Sequence, residues 1–256
     1  MEIQSFKKKK NNKYELVFKN GESVELYDET ILKYNLLLNK KVEEKKWNEI
    51  LEENKKLDAY YIALKYLNTK MRTKLEIKKY LEKKEFDFAT INKTIEKLSG
   101  SKLIDEDTYV KAYLHDQISF SNNGPAKIKN KLYELGIEKQ LVNERLQEID
   151  KSIWYEKLEK QIAKKVKRNK TDSIAMLKNK IISSFYKEGY DKNMIISILE
   201  NMDLKNDSSV IQKEYEKIKK KLEKKYTNEE LEFHIKMKLR TKGFSVEEIE
   251  QIKTGN

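Results

Sequence analysis

Residues 128–137 read IKNKLYELGI, and this stretch decides the fold because its frame recurs along the chain. Leu132 follows Ile128 by four residues, so the two apolar side chains share one face of a helix. Gly136 can adopt the left-handed conformation that ends a helix, and Ile137 can then fold back onto its last turn. The stretch therefore predicts a helix that ends in a glycine turn.

The frame is an apolar residue, a second one four residues later, and a third just past the turn. Its members are Ile77, Leu81 and Phe86; Ile128, Leu132 and Ile137; Ile181, Phe185 and Tyr190; and Ile235, Leu239 and Phe244. The turn positions 85, 136, 189 and 243 lie 51, 53 and 54 residues apart, which is typical of an array of three-helix repeats. Glu85 replaces glycine in the first turn, and we expect backbone strain there.

Three S/T-x-x-E sequences predict where helices begin. Thr73–Glu76 and Thr227–Glu230 are expected to be capping boxes that open second helices, and Ser245–Glu248 is expected to open a third helix. Upstream, β-type runs at Tyr14–Phe18 and Ser23–Tyr27 flank an Asn-Gly pair, which predicts a hairpin with a two-residue type I′ turn. Residues 28–38 are a candidate helix that covers this hairpin.

The predicted fold class is all-α, with tandem three-helix repeats in an open curved array and a small N-terminal β-hairpin. The predicted parts are an N-terminal hairpin and short helix at 1–41, then repeat 1 at 42–105, repeat 2 at 106–153, repeat 3 at 154–206 and repeat 4 at 207–256.

The composition excludes several classes of protein. The chain has no Cys, which excludes disulfides and thiolate metal sites, and no catalytic motif or phosphate-binding loop occurs. The two histidines, His115 and His234, are far apart in the sequence, so we expect no metal site and no cofactor. We expect no membrane segment, because no window of about 18 apolar residues occurs. The sequence therefore predicts a cytoplasmic protein that is not an enzyme.

The net charge of +12 favours an anionic partner, of which nucleic acid is the commonest. Lys makes up 51 of the 55 basic residues, so the codon bias of an AT-rich genome is an alternative explanation of the net charge. The positions of the charges are therefore more informative than their total. Segments 70–84 and 154–170 each carry a net charge of +5, whereas the third helices at 138–150, 191–203 and 244–254 each carry −2. Stacked repeats would then form a discontinuous basic stripe suited to a phosphate backbone, although solvated helix faces explain the charges equally well.

The residues predicted to bind DNA or a protein–DNA filament are the cations of the first and second helices. They are Arg72, Lys74, Lys78, Lys79, Lys127, Lys129, Lys131, Lys164, Lys165, Lys167, Arg168, Lys236, Lys238 and Arg240.

Between about Leu57 and Ile149 the sequence resembles the RecX family. The matching segments are Ala63–Leu67, Arg72–Ile77 with Leu81, Leu103–Tyr109, Gly124–Ile128, and Leu132 with Leu135–Ile137. In the last two repeats only the apolar frame and the glycine turns match. Glu85 departs from the usual turn glycine, and Thr73 stands where Ser is more typical.

The resemblance implies a regulator of RecA recombinase that acts in DNA recombination, DNA repair and the SOS response. Such proteins lie in the groove of the RecA–single-stranded DNA filament and typically suppress its ATPase and strand exchange. The resemblance therefore implies RecA and its nucleoprotein filament as partners, with weak, non-specific binding of single-stranded DNA by a monomer. The sequence itself leaves open whether the effect is inhibitory or stimulatory.

The sequence leaves two other functions open. The first is a basic helical nucleic-acid-binding protein that acts independently of RecA, although the acidic third helices argue against a helix-turn-helix reader. The second is a peptide-binding helical scaffold, which would need a concave surface that is apolar or uncharged rather than rich in lysine.

Overall fold

The computed structural model describes residues 1–206 and 208–253, and this part of the chain contains three strands and thirteen helices. The strands are β1 (Ile3–Lys8), β2 (Lys13–Phe18) and β3 (Ser23–Tyr27). The helices are α1 (Asp28–Lys33), α2 (Glu44–Leu67), α3 (Lys74–Glu82), α4 (Phe88–Gly100), α5 (Glu106–Phe120), α6 (Pro125–Glu134), α7 (Lys139–Gln147), α8 (Lys151–Lys167), α9 (Ile174–Lys187), α10 (Lys192–Glu200), α11 (Ser208–Leu222), α12 (Asn228–Thr241) and α13 (Val246–Lys253). A mostly helical fold with a small N-terminal sheet is confirmed.

The chain divides into two compact bodies. The first body comprises Met1–Tyr109 and Leu135–Ile137, and the second comprises Val110–Glu134 and the residues from Glu138 onward. The five-part division of the chain remains a prediction. Asp207 and residues 254–256, which the predicted fourth repeat includes, lie outside the described residues.

The N-terminal sheet is antiparallel in the order β1-β2-β3. Its β2–β3 hairpin is confirmed, but the predicted two-residue turn is wrong. The Phe18 N–H donates to the Glu22 carbonyl at 2.9 Å, and the Gly21 N–H donates to the Phe18 carbonyl at 3.0 Å. Gly21 has a φ of +87°, whereas Asn20 keeps an ordinary φ, so the loop has three residues and ends in a left-handed glycine.

Strand β1 is an addition that the sequence pattern did not predict. It pairs with β2 over Lys8↔Tyr14 to Ile3↔Phe18, and its bulge lies between Ile3 and Ser5. The sheet packs on helix α2, where Leu16, Leu26 and Trp47 are buried in one cluster. This packing stabilises a sheet that would be marginal alone in water.

Twelve of the described helices form four three-helix repeats, in the order α2–α4, α5–α7, α8–α10 and α11–α13. The first two residues of each predicted frame are buried in the second helix of each repeat, as expected for a core-facing stripe. They are Ile77 and Leu81, Ile128 and Leu132, Ile181 and Phe185, and Ile235 and Leu239. The tandem three-helix repeats are therefore confirmed.

All four turns after the second helices are left-handed, as predicted. Gly136, Gly189 and Gly243 have φ values of +81°, +90° and +83°, and Glu85 has +64°. In the first turn, the Phe86 N–H donates to the Leu81 carbonyl at 3.2 Å, the long-range bond of a Schellman motif. Glu85 therefore occupies a conformation that costs a residue with a Cβ atom about 1–2 kcal/mol.

In the second body, the third turn packs closely against the start of helix α6. The Gly124 N–H donates to the Glu188 carbonyl at 2.7 Å, and the Ala126 N–H donates to the Gly189 carbonyl at 3.1 Å. A Cβ atom on Gly189 would lie 2.4 Å from the Lys127 backbone nitrogen. Glycine is therefore required at 189 by the neighbouring backbone as well as by φ.

The same docking occurs at two other helix starts. In the first body, the Thr73 hydroxyl donates to the Leu135 carbonyl at 2.8 Å, and a Cβ atom on Gly136 would lie 2.7 Å from the Leu75 Cβ. In the second body, the Ser173 hydroxyl donates to the Lys242 carbonyl beside Gly243. Each of these turns thus supplies carbonyl acceptors to the N-terminus of an earlier second helix, whose first polar groups lack partners within the helix.

Two of the three predicted capping boxes are confirmed. Thr73 accepts from the Glu76 N–H while Glu76 accepts from the Thr73 N–H, and Ser245 and Glu248 form the same pair of bonds. The prediction at Thr227 is wrong, because its side chain makes no capping bond and Asn228 takes a positive φ of +51°.

Candidate functional site

The first body holds four of the predicted binding residues, in or next to helix α3. Arg72 differs from expectation, because its side chain is only 14% exposed. Its guanidinium lies 4.0 Å from the centre of the Tyr66 ring, and one of its nitrogens lies 3.5 Å from a Glu76 oxygen. Tyr66 in turn stacks on Tyr80 at 4.0 Å. Arg72 therefore packs within the first repeat and is not freely presented to a partner.

The other three cations of this group reach solvent to different degrees. The Lys74 ammonium lies 3.4 Å from a Glu106 carboxylate oxygen, and the Lys78 ammonium lies 5.2 Å from the centre of the Phe88 ring. Lys79 is exposed. Lys74 and Lys79 thus present positive charge outward, whereas Lys78 is half-buried.

A wide groove of the second body brings together three predicted residues, Lys127, Lys129 and Lys131, all on helix α6. Its volume is about 1250 Å³, and Lys151 and Lys187 also line it. Because α6 lies between residues of α5, α7, α9 and the start of α8, its cations face a wide open cleft rather than a flat surface. We call this cleft the α6 groove.

Two of the α6 groove cations form ion pairs near the surface. The Lys127 ammonium donates to Glu188 at 2.7 Å, and the Lys131 ammonium donates to Glu134 at 2.8 Å. The bond to Glu134 raises the pKa of Lys131, so this group stays charged at neutral pH. Exposed pairs of this kind are weak, so a phosphate can replace either carboxylate at little cost.

Aromatic and amide side chains complete the α6 groove. Tyr113, Trp154 and Tyr186 line it, and Tyr186 is 64% exposed. Asn130 and Asn143 also line it and offer both donors and acceptors. Trp154 is buried and Tyr113 is half-buried, so Tyr186 is the exposed ring of the three. Cations beside an exposed aromatic ring are a combination that binds single-stranded nucleic acids without sequence preference.

The predicted cations at the end of helix α8 lie outside the α6 groove lining. The Lys165 ammonium donates to the Ser184 hydroxyl at 2.5 Å and lies 4.6 Å from the centre of the Phe185 ring. Lys164, Lys167 and Arg168 are exposed. Lys165 and Arg168 line a small hollow of about 320 Å³ together with Lys170 and Lys180.

The last predicted group lies on helix α12. Lys236 and Arg240 line a hollow of about 150 Å³ beside the exposed side chains of Phe233 and Met237, and Lys238 is exposed. The structure therefore brings Lys127, Lys129 and Lys131 together in the α6 groove. Lys165 and Arg168 share a separate hollow, as do Lys236 and Arg240.

Sequence reasoning did not predict that Tyr186 and Lys187 line the α6 groove. Lys187 and Tyr186 end helix α9 and line the groove, yet their positions follow only from the docking of the next turn onto α6. An aromatic residue beside a lysine just before a glycine turn was the available signal. Tyr190 also lines the groove, but its ring is buried, and burial raises the pKa of its hydroxyl to about 12.

Other kinds of site receive no support from the described residues. Within 1–206 and 208–253, no group of three or more His, Asp or Glu side chains is arranged to hold a metal ion. No helix in this part of the chain is long and apolar enough to cross a membrane.

Comparison with known proteins identifies the family. The family model for the first three-helix domain of RecX matches residues 59–98. The chain is 30% identical over 258 residues to the regulatory protein RecX of Streptococcus agalactiae serotype III strain NEM316, with 97% of each chain covered. The chain belongs to the RecX family.

Two further similarities agree with the assignment. The regulatory protein RecX of Staphylococcus aureus strain JH9 is 31% identical over 235 residues, which cover 86% of this chain and 82% of that protein. A crystal structure of a regulatory protein RecX has a TM-score of 0.66 at 21% identity, and the match covers 78% of this chain and 99% of the other. The RecX relationship thus extends into the last two repeats, where the sequence resemblance was limited to the apolar frame.

Proposed function

We propose that this RecX-family chain inhibits RecA recombinase by binding in the groove of the RecA–single-stranded DNA filament, where it suppresses the ATPase and strand exchange. The observation that carries the proposal is the α6 groove, in a chain that matches regulatory RecX proteins over almost its whole length. The predicted cations Lys127, Lys129 and Lys131 line that groove, and Lys151 and Lys187 extend it.

Electrostatics support the choice of a polyanionic partner. The net charge is +12, and the lysines of the α6 groove outnumber its two acidic lining residues, Glu134 and Asp191. Several distributed lysine contacts can hold a protein along a helical polyanion without one deep pocket, since each contact releases condensed counterions. The proposed partners are therefore RecA and its filament, contacted by a cytoplasmic monomer that has no catalytic activity of its own.

Binding of single-stranded DNA alone is proposed to be weak and independent of sequence. The α6 groove offers cations and aromatic rings rather than a base-reading helix, which favours contact with phosphates and ring faces. If the groove neutralises about five phosphates, log K should fall with log salt at a slope near −3.5. An affinity that does not change with salt would contradict this electrostatic proposal.

The decisive experiment measures DNA-dependent ATP hydrolysis by RecA at increasing concentrations of the parent protein and two variants. The groove variant changes Lys127, Lys129, Lys131 and Lys187 to Gln. The matched control changes Lys7, Lys8, Lys10 and Lys40 to Gln, four exposed lysines of the N-terminal part, so both variants lose the same charge. Because each exposed contact contributes about 0.2–1 kcal/mol, the groove variant should need at least about fourfold more protein for half inhibition.

The control should inhibit RecA as well as the parent does. Equal inhibition by the groove variant would show that the α6 groove is not the contact surface. If the parent leaves the ATPase and strand exchange unchanged at saturating concentration, the proposal of RecA inhibition fails, and binding of nucleic acid independently of RecA takes its place.

A further inference from the structure

Helix α5 ends in an aromatic side chain that points into solvent. Phe120 is 84% exposed, more than any other aromatic side chain among the exposed hydrophobic residues of the described chain. Exposing a Phe ring costs about 1.5–3 kcal/mol relative to burying it, so folding of this chain gains nothing from the position. A binding partner that covers the ring would recover that free energy.

The segment that carries Phe120 is held in place by hydrogen bonds. The Lys157 ammonium donates to the Gln117 carbonyl at 2.6 Å, and the Asn123 side chain donates to the Gln117 side chain at 2.8 Å. The Ser121 hydroxyl also donates to the Gln117 carbonyl, at 2.7 Å. Burial lowers the pKa of Lys157, which agrees with an ammonium enclosed by this segment. Phe120 is therefore presented by an anchored helix end rather than by a free loop.

Two exposed cations stand beside the ring, and the half-buried Lys157 lines the same hollow. Phe120 shares a hollow of about 440 Å³ with Lys160 and Lys164 of helix α8. These lysines are four residues apart and thus about 6 Å apart along one helix face, on which Lys167 follows at the next turn. Glu156 is the acidic residue that lines the hollow, and its carboxylate lies 3.6 Å from the Lys160 ammonium with both side chains exposed.

We propose that Phe120 is a stacking platform for one base of single-stranded DNA, with Lys160 and Lys164 contacting the phosphates beside that base. The proposal rests on the proposed binding of single-stranded DNA and assigns it a second contact outside the α6 groove lining. An exposed ring beside a row of cations fits a base joined to phosphates. An apolar protein surface would cover the ring but would supply no anion to Lys160 and Lys164.

The test compares Phe120→Ala with the parent in binding to a single-stranded oligothymidylate of about 20 nucleotides, long enough for a site of this kind. Loss of one base–aromatic stack should weaken binding about 5- to 150-fold. The matched control is Leu38→Ala, which removes an apolar side chain that is 85% exposed in the first body and should leave the affinity within about twofold. Because both side chains are exposed, helical circular dichroism should be unchanged in both variants.

A second arm separates stacking from charge. An abasic strand of the same length keeps the phosphates but offers no base, so Phe120→Ala and the parent should bind it equally. The double variant Lys160→Gln, Lys164→Gln should instead reduce the magnitude of the salt slope by about 1.4, whereas Phe120→Ala should leave that slope unchanged.

Two results would overturn the proposal. One is an unchanged affinity of Phe120→Ala for the oligothymidylate, and the other is an equal loss on the abasic strand. If DNA affinity is unchanged but binding to RecA filaments falls, Phe120 contacts a protein and not a base. Failure of the parent to inhibit RecA would refute the proposed function without affecting the stacking result, so the two failures can be told apart.

Discussion

The substitution Gly189→Ala tests whether the close approach between the third turn and helix α6 stabilises the fold. The new Cβ atom would lie 2.4 Å from the Lys127 backbone nitrogen and 2.8 Å from its Cβ, so one of the two backbones must move. Gly189 also has a φ of +90°, which disfavours any side chain.

The expected cost has two parts. The backbone conformation costs alanine about 1–2 kcal/mol. Displacing the start of α6 weakens two hydrogen bonds, from Gly124 to Glu188 and from Ala126 to Gly189, each worth about 0.5–1.5 kcal/mol. The free energy of unfolding should therefore fall by roughly 2–5 kcal/mol.

Gly21→Ala is the matched control. Gly21 has almost the same φ, +87°, but an added Cβ atom meets nothing within 4 Å. This variant should lose only the conformational part, about 1–2 kcal/mol. Urea unfolding of both variants, followed by circular dichroism and by the fluorescence of Trp47 in the first body and Trp154 in the second, measures the difference. Equal losses in the two variants would refute the role of the close approach.

Four further changes test the packing, caps, strain and charge described above. Leu132→Ala should lower the free energy of unfolding by about 2–5 kcal/mol, since the side chain is fully buried, and a loss below 1 kcal/mol in urea would contradict that burial. Thr73→Ala should cost about 1–3 kcal/mol in the same assay because the buried hydroxyl both caps α3 and donates to Leu135, whereas Thr73→Ser should cost much less. Glu85→Gly should raise the melting temperature, because glycine relieves about 1 kcal/mol of left-handed strain, and a lower melting temperature would argue against strain. Glu214 is buried, and the hydrogen bond from Lys242 lowers its pKa. The ionised Glu214 therefore adds to the free energy of unfolding above the carboxyl's usual pKa near 4.3, and this stabilisation is lost as pH falls through the lowered pKa. Glu214→Gln should accordingly be destabilising at pH 7, and the gap to the parent should close in acid; a gap that is constant with pH would contradict the ion pair.

Local rules predicted the helical fold well because the sequence of each repeat contains the signals that mark where its helices begin and end. The spacing of Ile128 and Leu132 identified the buried face of α6, and the glycines identified where second helices end. Glu85 adopts a left-handed φ without being glycine, so the repeat frame predicted this turn better than the residue type did.

Local rules failed where distant contacts decide the structure. Strand β1 ends in a run of lysines that does not alternate with apolar residues, and its pairing with β2 follows from tertiary packing around Ile3. The Asn-Gly pair predicted a two-residue turn, but the hydrogen bond between Phe18 and Glu22 sets a longer loop. Thr227 has the sequence of a capping box, yet the positive φ of Asn228 accompanies the loss of its cap.

The candidate site was less predictable than the fold because exposure depends on neighbours. Arg72 was predicted to bind because it lies in a basic segment, but its side chain stacks on Tyr66 and is largely buried. Aromatic residues of a helical repeat usually lie in the core, so no sequence pattern indicated that Phe120 and Tyr186 lie at the surface. The positions of the cations could be read from the sequence, but the α6 groove that brings three of them together could not be predicted.

The docking of turns onto helix starts also has a consequence for how such arrays lengthen. Thr73 and Ser173 are buried because a later turn sits on each of them, whereas Thr227, at the same position of the last repeat, is exposed. The start of α12 can therefore accept the turn of an additional three-helix repeat without changes to the existing repeats. The second helix of the added repeat would have to be followed by a glycine, which lacks a Cβ atom. A repeat that docks onto the start of α12 would therefore be tolerated more readily than a repeat inserted between existing ones, where the bond from Thr73 to Leu135 or from Ser173 to Lys242 must first be broken.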